Sequence, residues 1–200
     1  MKSRHLFLLV ALLILIDQAI KVYVKTHFHL GEEYIVIKDW FRINFVENGG
    51  MIFGWDPGGK GFKILNTLAR LTFCVGGIFV FRYFLRKGFS KGFFVCLAFI
   101  YAGGVGNLID NLFYGVLFGG GHLLEGKVVD MFYFPLIDTT LPSWMPFVGG
   151  NRFRFFEYVF NFADVCIDIG AFTLILFNKK FIKKKEHADP LSESANAVSQ

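Results

Sequence analysis

The amino-acid sequence predicts a mainly α-helical integral membrane protein with four transmembrane helices, a small extracytoplasmic β-rich region and an extracytoplasmic loop insertion. Three observations favour this fold class. Hydrophobic residues make up 54% of the 200-residue chain, which exceeds their share in an average soluble domain. The charged residues leave four apolar segments that are long enough to cross a bilayer. Lysine and arginine cluster beside those segments, as they do in the cytoplasmic loops of membrane proteins.

The first apolar segment begins after a short basic N-terminus. Lys2 and Arg4 precede an apolar run, a pattern shared by signal peptides and first transmembrane helices. No cleavage site of small residues follows, and apolar character continues through Val24. We therefore expect a retained helix over residues 6–24. By length and composition, the remaining spans are expected at 64–85, 93–109 and 158–177.

The distribution of basic residues predicts which ends of the helices are cytoplasmic. Bases precede the first span, lie between the second and third spans, and follow the fourth. With four spans, all three groups fall on one side, which the positive-inside rule makes cytoplasmic. Both termini are then cytoplasmic, and the loops over residues 25–63 and 110–157 lie outside. Topology thus explains the formal net charge of +5, and no motif indicates a nucleic-acid partner.

The chain is expected to form one membrane domain over residues 1–185, followed by a polar, disordered cytoplasmic tail over 186–200. In the first outer loop, β-branched and aromatic residues predict strands over 34–37 and 40–46. Asn48-Gly49-Gly50 predicts a turn after them. The second outer loop is rich in glycine, proline and aromatic residues, which suits either a lid or a surface insertion.

Several polar residues lie in or beside the apolar segments, where an unpaired charge is costly. Asp17 and Lys21 share one face of the first span, either as a structural ion pair or as a substrate contact. Asn107 and Asp110, at the outer end of the third span, suit either a helix cap or hydrogen bonds between helices. Asp130 stands in an apolar run of the second outer loop. A charge in such a run is expected to be paired or functional.

The fourth span begins with a polar stripe. Asn161, Asp164 and Asp168 follow one another at helical spacing. Such a stripe is expected to face the bundle interior or an aqueous cavity rather than lipid. With the predicted topology, Asp17, Asp130 and Asp164 all lie near the outer membrane edge. The sequence therefore predicts that the acids converge on one depth.

Two carboxylates held together suit hydrolysis of a peptide bond without a metal or a cofactor. They cannot both ionise easily, so one keeps a proton while the other is charged. Such a pair can deprotonate a water for attack on a carbonyl and protonate the leaving amine. Other peptidase chemistries are disfavoured, because the predicted spans contain no serine and the chain has neither a G-x-S-x-G nor an H-E-x-x-H motif. His27 and His29 are only a weak metal signal, and no metal site or cofactor is expected.

Four sequence blocks carry a resemblance to a known family. In chain order they are Asp17-Gln18 with Lys21; Asn48-Gly49-Gly50 with Phe53-Gly54; Gly103-Gly104-x-Gly106-Asn107-x-Ile109-Asp110, which continues to Val128-Val129-Asp130; and Phe160-Asn161-x-Ala163-Asp164. Each block is weak by itself, but their order on a four-span chain is specific. Over roughly residues 6–180, the chain resembles lipoprotein signal peptidase, also called signal peptidase II.

The resemblance implies an aspartic endopeptidase whose catalytic pair is Asp130 and Asp164. The positions for which it implies substrate binding or ordering of the site are Asn48, Gly49, Asn107, Asp110, Asn111, Asn161, Asp17 and Lys21. The implied substrates are prolipoproteins whose lipobox cysteine carries diacylglycerol, cleaved just before that cysteine. The resemblance also implies a monomer surrounded by lipid in the bacterial cytoplasmic (inner) membrane, with its active site at the extracytoplasmic face.

Three departures from the family's pattern bear on the site. The family usually has arginine, which contacts substrate or bridges acids, where this chain has Asn111. Lys127 and Arg70 are candidate replacements for that cation. Residues 116–127 and 136–156 are longer than the corresponding family segments. Both insertions are expected outside the membrane, where they could reshape the cover over the site.

The residues alone leave two other functions open. A small membrane transporter component also needs intramembrane acids, although a proton relay would spread them along the membrane depth. A non-catalytic scaffold would use Asp17, Lys21 and the asparagines only to join helices. Loss of peptide cleavage in Asp130→Asn and Asp164→Asn variants would distinguish the peptidase from both.

Overall fold

Helices and one small sheet make up most of the protein. A computed structural model describes residues 3–38, 40–50, 59–87, 89–119 and 121–181. The helices are α1 (Ser3–His27), α2 (Lys60–Lys87), α3 (Lys91–Leu117), α4 (Phe162–Leu176) and the short α5 (Asn178–Phe181). The strands are β1 (Glu33–Ile37), β2 (Phe41–Asn48), β3 (Val128–Tyr133), β4 (Ile137–Thr140), β5 (Arg152–Phe155) and β6 (Val159–Phe160). Phe53-Gly54 of the second sequence block and the predicted tail over 186–200 lie outside the described residues.

Three of the described helices are long and apolar enough to cross a membrane. They are α1, α2 and α3, over Arg4–His27, Gly61–Lys87 and Lys91–Leu117. Helix α4 has 15 residues, which corresponds to about 22 Å at 1.5 Å per residue. That length is below the thickness of a typical hydrocarbon core. The structure therefore supports three membrane-crossing helices, and the fourth crossing stays a prediction.

The predicted fourth span began too early. Residues 158–161 are not helical, because Val159 and Phe160 pair with β3 and Asn161 caps α4 from an extended backbone (φ −122°, ψ 179°). Helix α3, by contrast, continues eight residues past the predicted end at 109, to Leu117. Asn107 and Asp110 do not cap it, since both are buried and bond to other elements. Of the two interpretations of this pair, hydrogen bonding between helices is the one observed.

Helix α3 is the centre of the bundle. Its small residues Ala98, Ala102, Gly103 and Gly106 are buried, so the backbones of α1 and α4 approach it closely. A Cβ added at Gly106 would lie 2.6 Å from Asp17 Oδ2, which shows how tightly α1 packs there. Helix α2 packs on another side of α3, and among the described residues α2 and α4 share few or no close contacts.

The β-rich region is a four-stranded antiparallel sheet in the order β1-β2-β3-β6. In its register Val46 of β2 lies opposite Asp130 of β3, and Phe132 of β3 lies opposite Phe160 of β6. The inner residues of β3 are buried against the C-terminal parts of α1 and α3 in one apolar cluster that includes Val24, Phe45, Tyr114, Val129 and Met131. The sheet is therefore attached to the helices directly beside the segment that carries Asp130.

The predicted insertion at 136–156 contains a separate hairpin. Strands β4 and β5 pair with each other from Ile137–Phe155 to Thr140–Arg152. Large apolar side chains such as Trp144 and Phe153 are exposed on it. Both interpretations of this loop, a lid and a surface insertion, stay predictions.

Candidate active site

The two acids predicted to be catalytic come from different elements. Asp130 lies in β3, and Asp164 is the third residue of α4. Strand β6 pairs with β3 immediately before α4 begins. The sheet thereby brings the first turn of α4 against the strand that carries Asp130.

Asn161 bonds both carboxyl groups, that of Asp130 through its side chain and that of Asp164 through its backbone. Its Nδ2 donates to Asp130 Oδ1 at 2.6 Å, and its Oδ1 accepts from the Asp164 backbone N–H at 3.0 Å. The Asn161 backbone N–H in turn donates to Asp164 Oδ2 at 3.1 Å, which completes a capping box. An amide side chain suits this position because it offers both the acceptor that the cap needs and a donor for a carboxylate. One residue therefore begins the helix and positions both acids.

Two further asparagines hold the pair from opposite sides. Asn107 of α3 donates to Asp164 Oδ1 at 2.9 Å. Asn48, at the end of β2, hydrogen-bonds to Asp130 and accepts from the Gly50 backbone N–H at 2.9 Å. The site is thus built from β2, β3, α3 and α4, which are far apart in the chain.

Lys21 of α1 is the centre of a buried ionic cluster. Its Nζ lies 2.9 Å from Asp17 Oδ2 and 2.8 Å from Asp110 Oδ2. It also donates to Asn107 Oδ1 at 2.8 Å. The side chains of the three charged residues are at most 2% exposed, so their attraction must offset the cost of removing all three from solvent. Because Asn107 bonds Lys21 on one side and Asp164 on the other, the cluster is connected to the candidate site.

The cluster also bonds the backbone beside each candidate acid. Asp110 Oδ2 accepts from the Val129 N–H at 3.3 Å, and Asp17 Oδ1 accepts from the Ala163 N–H at 2.9 Å. Those N–H groups belong to the residues immediately before the two candidate catalytic acids. The cluster therefore positions the backbone on both sides of the pair.

The environment of Asp130 favours its protonated form. Burial, followed by the negative charge of Asp164, raises the pKa of Asp130 from 3.8 to about 7, although hydrogen bonds from Asn161 and Asn48 and the charge of Lys21 oppose the shift. The first turn of α4, where Asp164 lies, is by contrast a favourable place for a negative charge. The two carboxyls therefore differ in environment, as a shared-proton pair requires.

Sequence reasoning did not assign a site role to Gln18 or Tyr114. Gln18 donates to Asp110 Oδ1 at 2.9 Å and to the Gly106 carbonyl at 3.2 Å. The Tyr114 hydroxyl donates to Gln18 Oε1 at 3.1 Å. Asp110 and Tyr114 are four residues apart and so lie on one helix face. That spacing could have predicted that Tyr114 lies beside the site.

Three other predicted positions have distinct surroundings. A Cβ at Gly49 would lie 3.3 Å from Lys63 Cε, so this turn leaves little room for a side chain. Asn111 is buried, and its Nδ2 donates to the Gly126 carbonyl at 3.0 Å rather than to the acid pair. Asp168 is exposed, so the stripe that begins with Asn161 does not stay inside the bundle as far as predicted.

Of the two candidate replacement cations, Lys127 is engaged elsewhere. Its Nζ lies 3.1 Å from Glu47 Oε2, and Glu47 also pairs with Lys25. Burial acts to raise the pKa of Glu47, but hydrogen bonds from Lys25 and Lys127 outweigh it, so the pKa lies below its usual value. Glu47 therefore stays ionised and keeps Lys127 paired. Arg70, by contrast, has a buried Nη1 that makes no hydrogen bond within the described residues.

Comparison with known proteins identifies the family. A family model described as signal peptidase (SPase) II matches residues 9–179. The chain belongs to the signal peptidase II family. A Porphyromonas gingivalis protein named lipoprotein signal peptidase is 45% identical over 184 residues, which cover 84% of this chain and 80% of that protein. A protein of the same name from Chlorobium phaeobacteroides is 31% identical over 180 residues, covering 89% and 98%. The predicted resemblance is thus confirmed, and the chain is a member of a protease family.

Solved structures agree on the fold of this signal peptidase II member. A bacterial membrane enzyme determined at 2.3 Å by the in meso method has a TM-score of 0.59 and 21% identity, and the match covers 94% of this chain and 96% of that one. A second, determined at 1.9 Å, has a TM-score of 0.58 and 22% identity over 87% and 92%. At these identities the likeness concerns the fold alone.

Proposed function

We propose that this protein is a lipoprotein signal peptidase, an aspartic endopeptidase that hydrolyses the peptide bond before the diacylglyceryl-modified lipobox cysteine of prolipoproteins. The observation that carries the proposal is the bridge in which Asn161 bonds both Asp130 and Asp164. Membership of the signal peptidase II family and the name of the relatives support the same function.

In the proposed reaction, Asp164 moves the proton and Asp130 stabilises the charge that develops on the carbonyl oxygen. Asp164 accepts a proton from a water, whose oxygen forms a bond to the carbonyl carbon of the scissile peptide. Asp130, protonated because of its raised pKa, donates a hydrogen bond to the carbonyl oxygen as negative charge develops there. The carbon–nitrogen bond then breaks, and the proton held by Asp164 passes to the leaving amine. Atoms and charge balance, and both carboxyls return to their starting states.

The ionic cluster would keep the acids at the separation that this reaction needs. Lys21 supplies one positive charge between Asp17 and Asp110, and the cluster bonds the backbone before each catalytic acid. Residues held by buried, mutually bonded partners lose little further freedom when substrate binds. Asp17, Lys21, Asn107 and Asp110 are therefore proposed to order the site rather than to touch the reacting atoms.

The proposed setting is the bacterial inner membrane. Three apolar helices support a membrane location, and we infer that α4 with α5 makes the fourth crossing, which leaves both termini cytoplasmic. The catalytic pair would then lie at the extracytoplasmic membrane edge, where a diacylglyceryl anchor places the substrate. The enzyme is proposed to act as a monomer, with membrane lipid around it.

The experiment that tests the proposal is cleavage of a diacylglyceryl-modified lipobox peptide by purified protein in the presence of a metal chelator. The wild type should cleave just before the modified cysteine. Asp130→Asn and Asp164→Asn should each reduce kcat by about 1000-fold or more, because the first removes the protonated carboxyl that stabilises the developing oxyanion and the second removes the base that takes the proton of water.

The matched control is Asp168→Asn, which replaces an exposed acid one turn further along α4. It should retain activity close to that of the wild type. Absence of cleavage by a folded wild type would reject the peptidase and leave the transporter and scaffold functions. Full activity in either Asp130→Asn or Asp164→Asn would reject the aspartic mechanism.

A further inference from the structure

The surface of α3 that lies between α2 and α4 is called the groove. Both helices pack on α3, but among the described residues they make few or no close contacts with each other. Helices α2 and α4 form the two walls of the groove. Asp164, which is half-buried, lies at the start of α4. An extended peptide that lies along the groove can reach this carboxyl. One side of the peptide then faces α4 and the other faces α2.

Arg70 lies on the α2 wall at the depth of the acid pair. One turn further in, Cys74 packs against Gly104 of α3, whose added Cβ would lie 3.8 Å from the Cys74 sulfur. One turn further out, Thr67 Oγ1 donates to the Leu124 carbonyl at 3.1 Å. Because α2 and α3 are antiparallel neighbours, Arg70 lies at the level of the α3 turn that follows Gly104, which contains Asn107. Asn107 is the residue that bonds Asp164.

The guanidinium of Arg70 has a buried donor without a partner. Arg70 Nη1 is shielded from solvent and makes no hydrogen bond in the part of the chain that the structure describes. The other polar side chains on this face of α2 are satisfied, since Lys63 Nζ donates to the Glu125 carbonyl at 3.3 Å and Thr67 bonds Leu124. A buried donor of a cation that lacks an acceptor is costly, so its retention points to an acceptor that arrives with a ligand.

Asn111 of α3 supplies a matching acceptor. Its Nδ2 is used by the Gly126 carbonyl at 3.0 Å, whereas its Oδ1 is buried and makes no hydrogen bond within the described residues. Arg70 and Asn111 thus offer one buried donor and one buried acceptor on the neighbouring helices α2 and α3. A peptide main chain presents the complementary carbonyl and N–H groups.

Tyr158 lies close enough to Arg70 and to the acids for their charges to act on its hydroxyl. Burial raises the pKa of Tyr158, and the carboxylates of Asp164, Asp130 and Asp168 raise it further, while the positive charge of Arg70 lowers it. A single side chain therefore senses the charges of both walls. Neither Asp164 nor Asp168 makes an ion pair with Arg70 among the described residues, so the cation is not neutralised across the groove.

We infer that Arg70 is a substrate-positioning residue that donates a hydrogen bond to a main-chain carbonyl of the prolipoprotein segment in the groove, with Asn111 Oδ1 accepting from a nearby main-chain N–H. The inference rests on the proposed function, which supplies the peptide. Arg70 makes this contact with the bound substrate, away from the reacting atoms. It should therefore strengthen substrate binding and leave the chemical step almost unchanged.

The experiment measures binding separately from chemistry. In an Asp164→Asn background, which cannot cleave, the Kd of a diacylglyceryl-modified lipobox peptide should rise about tenfold or more when Arg70 is replaced by Met, because a hydrogen bond to a charged donor is lost. In the otherwise wild-type enzyme, Arg70→Met should raise KM by a similar factor and change kcat by less than about twofold. Arg82→Met, which removes an exposed arginine of the same helix, should change neither Kd nor KM.

A thermal unfolding measurement distinguishes this role from a structural one. Removal of a half-buried cation whose Nη1 is buried without a partner among the described residues should leave the midpoint unchanged or raise it, whereas loss of a structural contact should lower it. An unchanged Kd in the Asp164→Asn background would overturn the inference. So would a fall in kcat with KM unchanged.

Peptides with one backbone amide replaced by an ester identify the contact itself. At one position, the ester carbonyl, which is a weaker acceptor than an amide carbonyl, should weaken binding to the Arg70 form but add little further loss in Arg70→Met, since both changes act on the same hydrogen bond. Additive losses at every position would overturn the inference, even if Arg70→Met had also lowered stability. Cleavage by the wild type in the same assay tests the proposed function independently, because it does not depend on the outcome for Arg70.

Discussion

At the scale of single residues, the site depends on side chains that serve two partners at once. Asn161 caps α4 and bonds Asp130, and Asn107 joins Lys21 to Asp164. Each amide uses its oxygen and its nitrogen for different purposes. Replacement by Asp or Leu would remove at least one of the two, so these positions tolerate few other residues.

Asp130 makes a pH-dependent contribution to stability. Its pKa in the folded protein, about 7, exceeds its ordinary value of 3.8. Between those pH values the unfolded carboxyl loses its proton while the folded one keeps it. The free energy of unfolding should therefore fall as pH rises through this window and level off above it, by an amount on the order of a few kcal/mol.

The Asp130→Asn variant should lack this contribution, because an amide does not ionise. Thermal unfolding in detergent at pH 4 and pH 8 measures the effect. The wild type should lose more stability between the two pH values than Asp130→Asn does, while the exposed-acid variant Asp168→Asn should stay closer to the wild type than Asp130→Asn does. Equal pH dependence in the wild type and Asp130→Asn would mean that burial does not shift this pKa.

At the scale of elements, α4 is held in position at two points along its length. At its start, the capping box and the pairing of β6 with β3 attach it to the sheet. Further along, Gly170 is buried against α3, where an added Cβ would lie 2.6 Å from the Cys96 carbonyl oxygen. Close backbone approach without a side chain is a common way to join helices in a membrane.

Gly170→Ala should separate α3 from α4 and destabilise the protein by about 1–3 kcal/mol, the usual cost of overpacking. The matched control is Gly76→Ala on α2, where an added Cβ has no neighbour within 4 Å. Thermal unfolding should show a lower midpoint for Gly170→Ala and an unchanged or higher midpoint for Gly76→Ala, since Ala favours helix. A Gly170→Ala protein as stable as the control would show that the helices can move apart at little cost.

At the scale of the whole molecule, the number of membrane crossings determines on which side the site lies. Three described helices are long enough to cross, and α4 has only 15 residues. The start of α4 is attached to the sheet beside Asp130 and Asp164, and basic residues follow its end. If α4 with α5 crosses, the sheet and the C-terminal bases lie on opposite sides.

Cysteine labelling in intact cells tests this topology. The native cysteines are buried and should react little with a membrane-impermeant maleimide. Ser143→Cys, in the β4–β5 hairpin, should be labelled from outside, because that hairpin is expected to be extracytoplasmic. Lys180→Cys should be labelled only after the cells are permeabilised. Labelling of both positions from outside would exclude a fourth crossing.

The sequence by itself determined where the apolar helices α1 to α3 lie, that β1 and β2 form strands, and which acids are candidates for catalysis. These features follow from local composition and spacing, since a lipid-crossing helix or a β-branched strand is specified by neighbouring residues. The family resemblance carried by four short blocks then linked Asp130 to Asp164, which are separated by 33 intervening residues.

Only the tertiary structure decided which polar groups meet. The late start of α4, the bridge by Asn161, the bond from Tyr114 to Gln18 and the exposure of Asp168 all depend on partners distant in the chain. The same is true of Arg70, whose isolation is visible only once α3 and α4 are in place. A hydrogen bond requires its two atoms to lie within about 3 Å, and the packing of α1, α3 and α4 around the sheet sets those distances.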